Sequence, residues 1–290
     1  MDNDSNINNI KESFASDTIS FSVFNDFQSV KVSNKFADAE ILLYGAHIVS
    51  FTPKGSRDIL WVSSKSDMAP GKPIRGGIPV CWPWFGPAGT PMHGIARISI
   101  WNLDVVRSED DGSDTLILSL NCSDSYGLKV QASITIGTSL SFKLTTENVG
   151  SKEYQLTSAL HSYFAVSKLE KVKVSGLDNS EYTDKVAGGK RALQKGDIIF
   201  EAETDSVYDQ SDATVIIHDG GWNRSIRIEK AGSNSTVVWN PWIDKSKNMA
   251  DFADNEYHKM LCVEAGNVGA DARNLQPEET HTLFMRISQV

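Results

Sequence analysis

Two runs, Leu128–Ile136 and Leu140–Asn148, alternate apolar and polar side chains residue by residue. A period of two places neighbouring side chains on opposite faces, which a strand does and a helix cannot. Gly137-Thr138-Ser139 between them reads as a tight hairpin connection. The same signature recurs in shorter form along most of the chain: Phe21 to Val23, Val30 to Val32, Glu40 to Leu43, His47 to Phe51, Ser99 to Val106 and Thr115 to Asn121. Further runs follow at Gln155 to Ala165, Lys171 to Val174, Ala213 to His218, Ser225 to Glu229, Thr236 to Trp239, Met260 to Ala265 and Thr280 to Ser288. Strands at roughly 8–12-residue spacing, with Gly, Asn and Asp between them, predict an all-β sandwich or barrel. Helical periodicity is weak, its best case being Lys245 to Phe252. No internal repeat or low-complexity linker divides the chain. One antiparallel β domain over residues 18–290 is expected, preceded by a loose polar arm over residues 1–17.

At 290 residues the chain can bury roughly three-quarters of its unfolded surface, so no disulfide or metal staple is required. With 28 basic and 37 acidic residues the net charge is −9, which argues against nucleic acid or an anionic membrane as partner. A small phosphorylated ligand stays compatible, since a local pair of arginines can hold it. Cys81, Cys122 and Cys262 are odd in number and show no metal-ligand spacing, so they read as reduced thiols of a cytoplasmic protein. The start MDNDSNINNIKESF lacks the basic and apolar regions of a signal peptide, and no stretch approaches the roughly 20 apolar residues of a membrane span.

One segment breaks the strand pattern. Arg75 to Arg97, RGGIPVCWPWFGPAGTPMHGIAR, holds four prolines, two tryptophans, a phenylalanine and a histidine between two arginines. Prolines at this density suit neither a helix nor a central strand. The result is a stiff irregular surface. Its aromatic faces suit the C–H faces of a sugar, and its guanidinium forks suit phosphate or carboxylate oxygens.

Individual residues admit two readings. His161 in SALHSYFAV is either a core histidine satisfied by a neighbour or a general acid near neutral pH. Glu264 ends the apolar run MLCVEAGNV, where a carboxylate is costly to bury without a partner; it is a structural ion pair or a catalytic group. Arg75, Arg97 and His93 belong to the rigid segment and are either solvated or ligand-binding. Asp205 sits in the acidic run EAETDSVYD, which reads as a solvated face or a ligand contact. Trp82, Trp84 and Phe85 pack or wall a ligand, as do Trp239 and Trp242 around Asn240-Pro241. Phosphate-cradling glycine loops, HExxH, GxSxG and zinc spacings are all missing, which argues against nucleotide enzymes, zinc proteases and serine hydrolases.

Taken in order, RGGIPVCWPWFGP, HGIAR followed by Trp101, LHSYF, ETDSVY, VVWNPW and CVEAGNV resemble the hexose-6-phosphate mutarotases, the phosphosugar branch of the aldose 1-epimerase superfamily. The resemblance runs from about residue 20 to the C-terminus. It implies a galactose-mutarotase-like β-supersandwich acting without cofactor or metal on a small-molecule phosphosugar, as a cytoplasmic monomer. By the same resemblance His161 and Glu264 are the catalytic pair, and Arg75, Arg97 and Asp205 contact the substrate, with His93 as a further donor. The chain departs from some members at Met92, where they carry a glutamine, so the sugar contact of that amide is lost or replaced. Two other functions fit the same residues: a mutarotase of free aldoses, and a non-catalytic carbohydrate-binding sandwich. A glycoside hydrolase would need Asp205 and Glu264 as a carboxylate pair across a glycosidic bond.

Overall fold

Residues 14–290 are described by the structure, a computed structural model; the arm expected over residues 1–17 therefore lies, except for residues 14–17, outside the described residues. The chain opens with a four-stranded antiparallel meander, Ile19–Phe24, Phe27–Ser33, Ala37–Leu42 and His47–Pro53. Two eight-stranded sheets follow. The first is built of long strands in the order Val172–Ser175, Val215–Asp219, Arg224–Ala231, Thr280–Gln289, Leu140–Asn148, Leu128–Ile136, Asp114–Cys122 and Asn102–Ser108. The second has shorter strands, in the order Lys190–Leu193, Glu181–Asp184, Thr204–Tyr208, Ser235–Asn240, Met260–Asn267, Ser158–Leu160 and Val80–Cys81; Tyr163–Ala165 also pairs with Met260–Asn267. All the strand pairs are antiparallel, which matches the all-β reading.

Alternation explains how the layers meet. On Leu128–Ile136 the residues Leu128, Val130, Ala132, Ile134 and Ile136 are buried, while Lys129 and Gln131 face solvent. They join Phe142, Leu144, Leu283, Met285 and Ile287 of the same sheet, and Leu160, Phe164, Val238, Leu261, Val263 and Ala265 of the short-stranded sheet, in one apolar cluster. Each such aliphatic side chain contributes about 1.5–3 kcal/mol by leaving water. The strand Met260–Asn267 differs, being buried on both faces. Leu261, Val263 and Ala265 point into the sandwich, whereas Met260 and Cys262 belong to a separate cluster with Trp61, Tyr163, Trp239 and Phe252. Glu264 continues the second set by period two, so its carboxylate lies on the face away from the main core.

The expected hairpin has the bounds Leu128–Ile136 and Leu140–Asn148. The run Gln155 to Ala165 is not one strand but three, Tyr154–Leu156, Ser158–Leu160 and Tyr163–Ala165. Thr157 breaks it once by accepting the Phe85 N–H on its hydroxyl, and His161 and Ser162 break it again, with Ser162 Oγ turned back onto Leu160 O. The helix expected at Lys245 to Phe252 spans Trp242–Lys247 instead, where Asn240 Oδ1 accepts the Trp242 N–H and Pro241 precedes the first turn. Val80–Cys81, Glu181–Asp184, Lys190–Leu193, Thr204–Tyr208 and Arg273–Leu275 are strands that the pattern did not reveal, being short or rich in charge.

Candidate active site

The segment Arg75 to Arg97 contributes the strand Val80–Cys81 to the end of the short-stranded sheet and is fixed by its backbone. Gly77 N–H donates to Trp61 O at 2.7 Å, and Gly77 O accepts from Tyr163 N at 2.9 Å. At Gly77 φ is +63°, and a Cβ would stand 2.3 Å from Ile48 O, so glycine alone fits this approach. The chain then doubles back: Ile95 N and Ala96 N both donate to Trp82 O, at 2.9 and 3.2 Å. Gly94 permits this, with φ +76° and a hypothetical Cβ only 2.0 Å from Trp82 O. These two close approaches deliver Arg75, His93 and Arg97 to one side of the sheet.

There Arg75 and His93 meet a cavity of about 470 Å³ whose wall also includes His161, Asp205 and Glu264. Its volume suits a small ligand. His161 and Glu264, 103 positions apart in sequence, come together, with Nδ1 of His161 3.4 Å from Oε1 of Glu264. Glu264 is 1% exposed and its Oε2 has no partner; His161 is 8% exposed and its Nδ1 makes no hydrogen bond. The imidazole is stacked on Tyr163 at 4.8 Å between ring centres and meets Trp239 edge-on at 6.1 Å. Burial pushes the Glu264 carboxyl well above its usual range, with the neighbouring charge of Asp205 adding to the effect. Burial likewise pushes His161 well below the usual imidazole range, assisted by His93, Arg75 and Arg97. Both shifts favour the uncharged forms.

The remaining side chains hold positions around this pair. Arg75 Nε donates to Asp251 Oδ2 at 3.1 Å and Nη1 to Tyr163 Oη at 2.9 Å, so its fork is aimed by two protein partners. His93 Nδ1 accepts the Gly86 N–H at 3.2 Å, which leaves Nε2 to carry the ring proton. Burial lowers its pKa to about 3, so it is a neutral donor. Asp205, on Thr204–Tyr208, is raised by burial and faces Lys245 Nζ at 3.9 Å. Arg97 does not line this cavity: Nη2 donates to Met92 O at 2.7 Å, and its buried Nε has no partner. Met92 is 56% exposed on the cavity lip, and its carbonyl is what holds Arg97.

The aromatic residues divide cleanly. Trp82 is fully buried and donates Nε1–H to Thr146 Oγ1 at 2.9 Å, and Trp84 donates to Pro91 O at 2.9 Å. Both stiffen the segment, while Phe85 and Trp239 form the apolar wall of the cavity. Donor atoms of His161, Cys262 and Glu264 lie within 4.8 Å of one another. A dication there would displace the proton of a Cys262 thiol that burial holds strongly protonated, beside two arginines. This donor set suits proton transfer better than metal binding.

The Aldose 1-epimerase family model matches residues 28–288. The chain belongs to that family. A Salmonella typhimurium relative named "Putative glucose-6-phosphate 1-epimerase" is 36% identical over 82% of this chain and 83% of its own length. An Escherichia coli protein of the same name is 33% identical, covering 87% of each chain. A crystal structure from Salmonella typhimurium titled as a "putative mutarotase" superposes with a TM-score of 0.88 at 31% identity, over 97% of this chain and 98% of that one. As an aldose 1-epimerase family member the protein has a mutarotase fold and mutarotase chemistry. Two charged residues of this epimerase's cavity, Lys185 and Lys245, escaped the sequence reading. Lysines in polar, turn-rich sequence carry no pattern that separates a ligand contact from a solvated surface. No helix among the described residues is long and apolar enough to cross a membrane.

Proposed function

We propose that this epimerase interconverts the α and β anomers of a hexose 6-phosphate, glucose 6-phosphate in the first instance. The observation that carries the proposal is the buried His161–Glu264 pair, 3.4 Å apart on the wall of a cavity bordered by cationic side chains. Changing an anomer requires opening the hemiacetal, turning about C1–C2 and closing on the opposite carbonyl face. Opening needs a base at the C1 hydroxyl and an acid at the ring oxygen.

A histidine and a glutamate sharing one transferable proton fill both roles. With the proton on His161, the Glu264 carboxylate takes the C1 hydroxyl proton while the imidazolium protonates the ring oxygen. The C1–ring oxygen bond breaks, the C1 oxygen becomes a carbonyl, and the pair is left as neutral imidazole and carboxylic acid. Closure runs the same transfers backwards. Burial, which raises Glu264 and lowers His161, favours the neutral form of the pair and so supports the ring-open stage. Each positioned transfer contributes about 10²–10⁴-fold, ample for a reaction that already proceeds in water. Arg75 and Arg97 supply positive charge for the phosphate, while His93 and Asp205 contact the sugar, spending binding energy on orientation of C1.

Saturation transfer between the α and β C1 protons, measured by NMR on glucose 6-phosphate with galactose as control, tests the proposal. Acceleration for the phosphosugar alone supports it. Acceleration for galactose alone keeps the pair and rejects the phosphosugar. No acceleration for either rejects both and leaves a sugar-binding sandwich.

A further inference from the structure

We infer that Tyr163 and Asp251 are positioning residues that hold the Arg75 guanidinium in fixed register with the His161–Glu264 pair, favouring a substrate with an anionic end. This rests on the phosphosugar reading above. Neither residue lines the cavity, so both act through Arg75, which does.

The Arg75 fork is held along two edges. Asp251 Oδ2 accepts from Nε at 3.1 Å and lies 3.0 Å from Nη2, while Tyr163 Oη accepts from Nη1 at 2.9 Å. Together they fix the plane of the guanidinium without using all of its N–H donors, and the rest stay available to an anion in the cavity. A lysine could not be held this way. Both anchors are themselves fixed. Tyr163 is buried, with Trp61 N donating to its carbonyl at 3.0 Å and its own N–H donating to Gly77 O at 2.9 Å. It pairs with Cys262 on the strand that carries Glu264. Asp251 precedes Phe252, which is buried against Trp61 at 5.0 Å between ring centres.

The same tyrosine carries the register to the acid. A hydrogen bond on one ring nitrogen commonly aims an imidazole, but Nδ1 of His161 makes none. Its plane is set instead by the Tyr163 ring, stacked at 4.8 Å and 8°. Trp239 and His93 meet it edge-on, at 6.1 and 5.7 Å. One side chain therefore touches both the group that protonates the ring oxygen and the group that takes the anionic end. Burial pushes the phenol well above its ordinary range, against the pull of Arg75, so the hydroxyl stays neutral and is an acceptor, not a proton carrier. Asp251 is unfavourable to an anion as a charge; only the aim it gives Arg75 favours one.

The test compares Tyr163→Phe and Asp251→Ala in the full-length enzyme, with kcat and KM read on glucose 6-phosphate and on any free aldose the wild type accepts. Tyr163→Phe keeps the stacked ring and loses one anchor of Arg75. The phosphosugar KM should rise about threefold to tenfold, more than kcat falls, and inhibition by inorganic phosphate should weaken equally. A free aldose should lose less. In an Arg75→Lys background the further effect of Tyr163→Phe should shrink to within about twofold, because the group it positions is gone. Asp251→Ala separates aim from charge: positioning predicts a higher phosphosugar KM, whereas simple charge offset predicts a lower one. Urea melts show that the variants are folded, and if one is not, the other decides. The inference is overturned if KM is unmoved in Tyr163→Phe, if its effect persists undiminished beside Arg75→Lys, or if Asp251→Ala lowers KM; the mutarotase reading then stands. A wild type that accelerates only free aldoses overturns the phosphosugar reading itself, so the two failures are distinguishable.

Discussion

Glu264→Gln isolates proton transfer from everything else the carboxylate does. The side chain is 1% exposed and its Oε2 has no hydrogen-bond partner. Replacing that oxygen by an amide nitrogen exchanges one unpaired buried polar atom for another, at unchanged volume. The usual cost of about 1–3 kcal/mol for orphaning a buried group is therefore already present in the wild type, and the stability change should stay below about 1 kcal/mol. The amide cannot accept or release a proton in the reaction, so one positioned transfer is lost. The expected fall in kcat is about 10²–10⁴-fold, or roughly 3–5 kcal/mol of barrier, with KM within a few-fold. Anomer exchange by NMR gives kcat, and a urea melt gives stability. A variant that keeps kcat within about threefold of wild type would falsify the assignment of Glu264 as base. A variant that unfolds would instead show that the carboxylate holds the fold through a contact absent from this structure.

Other expectations follow from the same geometry. The pair works with one shared proton, so acid inactivates it only when a second proton reaches His161, which burial has moved well below 6.5. The kcat/KM profile, corrected for the substrate phosphate's own ionisation near pH 6, should stay flat through 6.5, and an inflection there with loss of activity below it counts against the scheme. His47 is fully buried with Nε2 2.7 Å from Gly76 O, and burial lowers its pKa to about 4. Below pH 6.5 the unfolded chain takes up a proton that the native chain refuses, so stability falls with pH by about 1.4 kcal/mol per unit, about 3 kcal/mol in all. His47→Asn, though less stable at pH 7, should lose about 3 kcal/mol less between pH 7 and 4 in denaturant melts, and parallel curves would exclude this role. Trp82→Phe removes the bond to Thr146 and leaves a buried void; it should cost about 2–3 kcal/mol of stability with kcat nearly unchanged, whereas a selective loss of kcat would make Trp82 part of the site.

The amino-acid sequence by itself determined the fold class and the strand registers where alternation is long. Leu128–Ile136 and Leu140–Asn148 are legible because a one-residue slip would turn every apolar side chain to solvent. The ordered motifs likewise carried the family and named His161 and Glu264. Sequence could not say that these two residues meet. Their contact depends on antiparallel pairing of Ser158–Leu160 with Met260–Asn267, set by long-range packing and not by local propensity. Nor could it separate Trp82, which fills the core, from Trp239, which walls the cavity, since both are tryptophans within two residues of a proline. Tertiary structure alone decided which cations are compensated. Arg75 finds Asp251, and Lys245 finds Glu203, from distant parts of the chain. Charge compensation depends on distances in space, and spacing along the chain does not encode them.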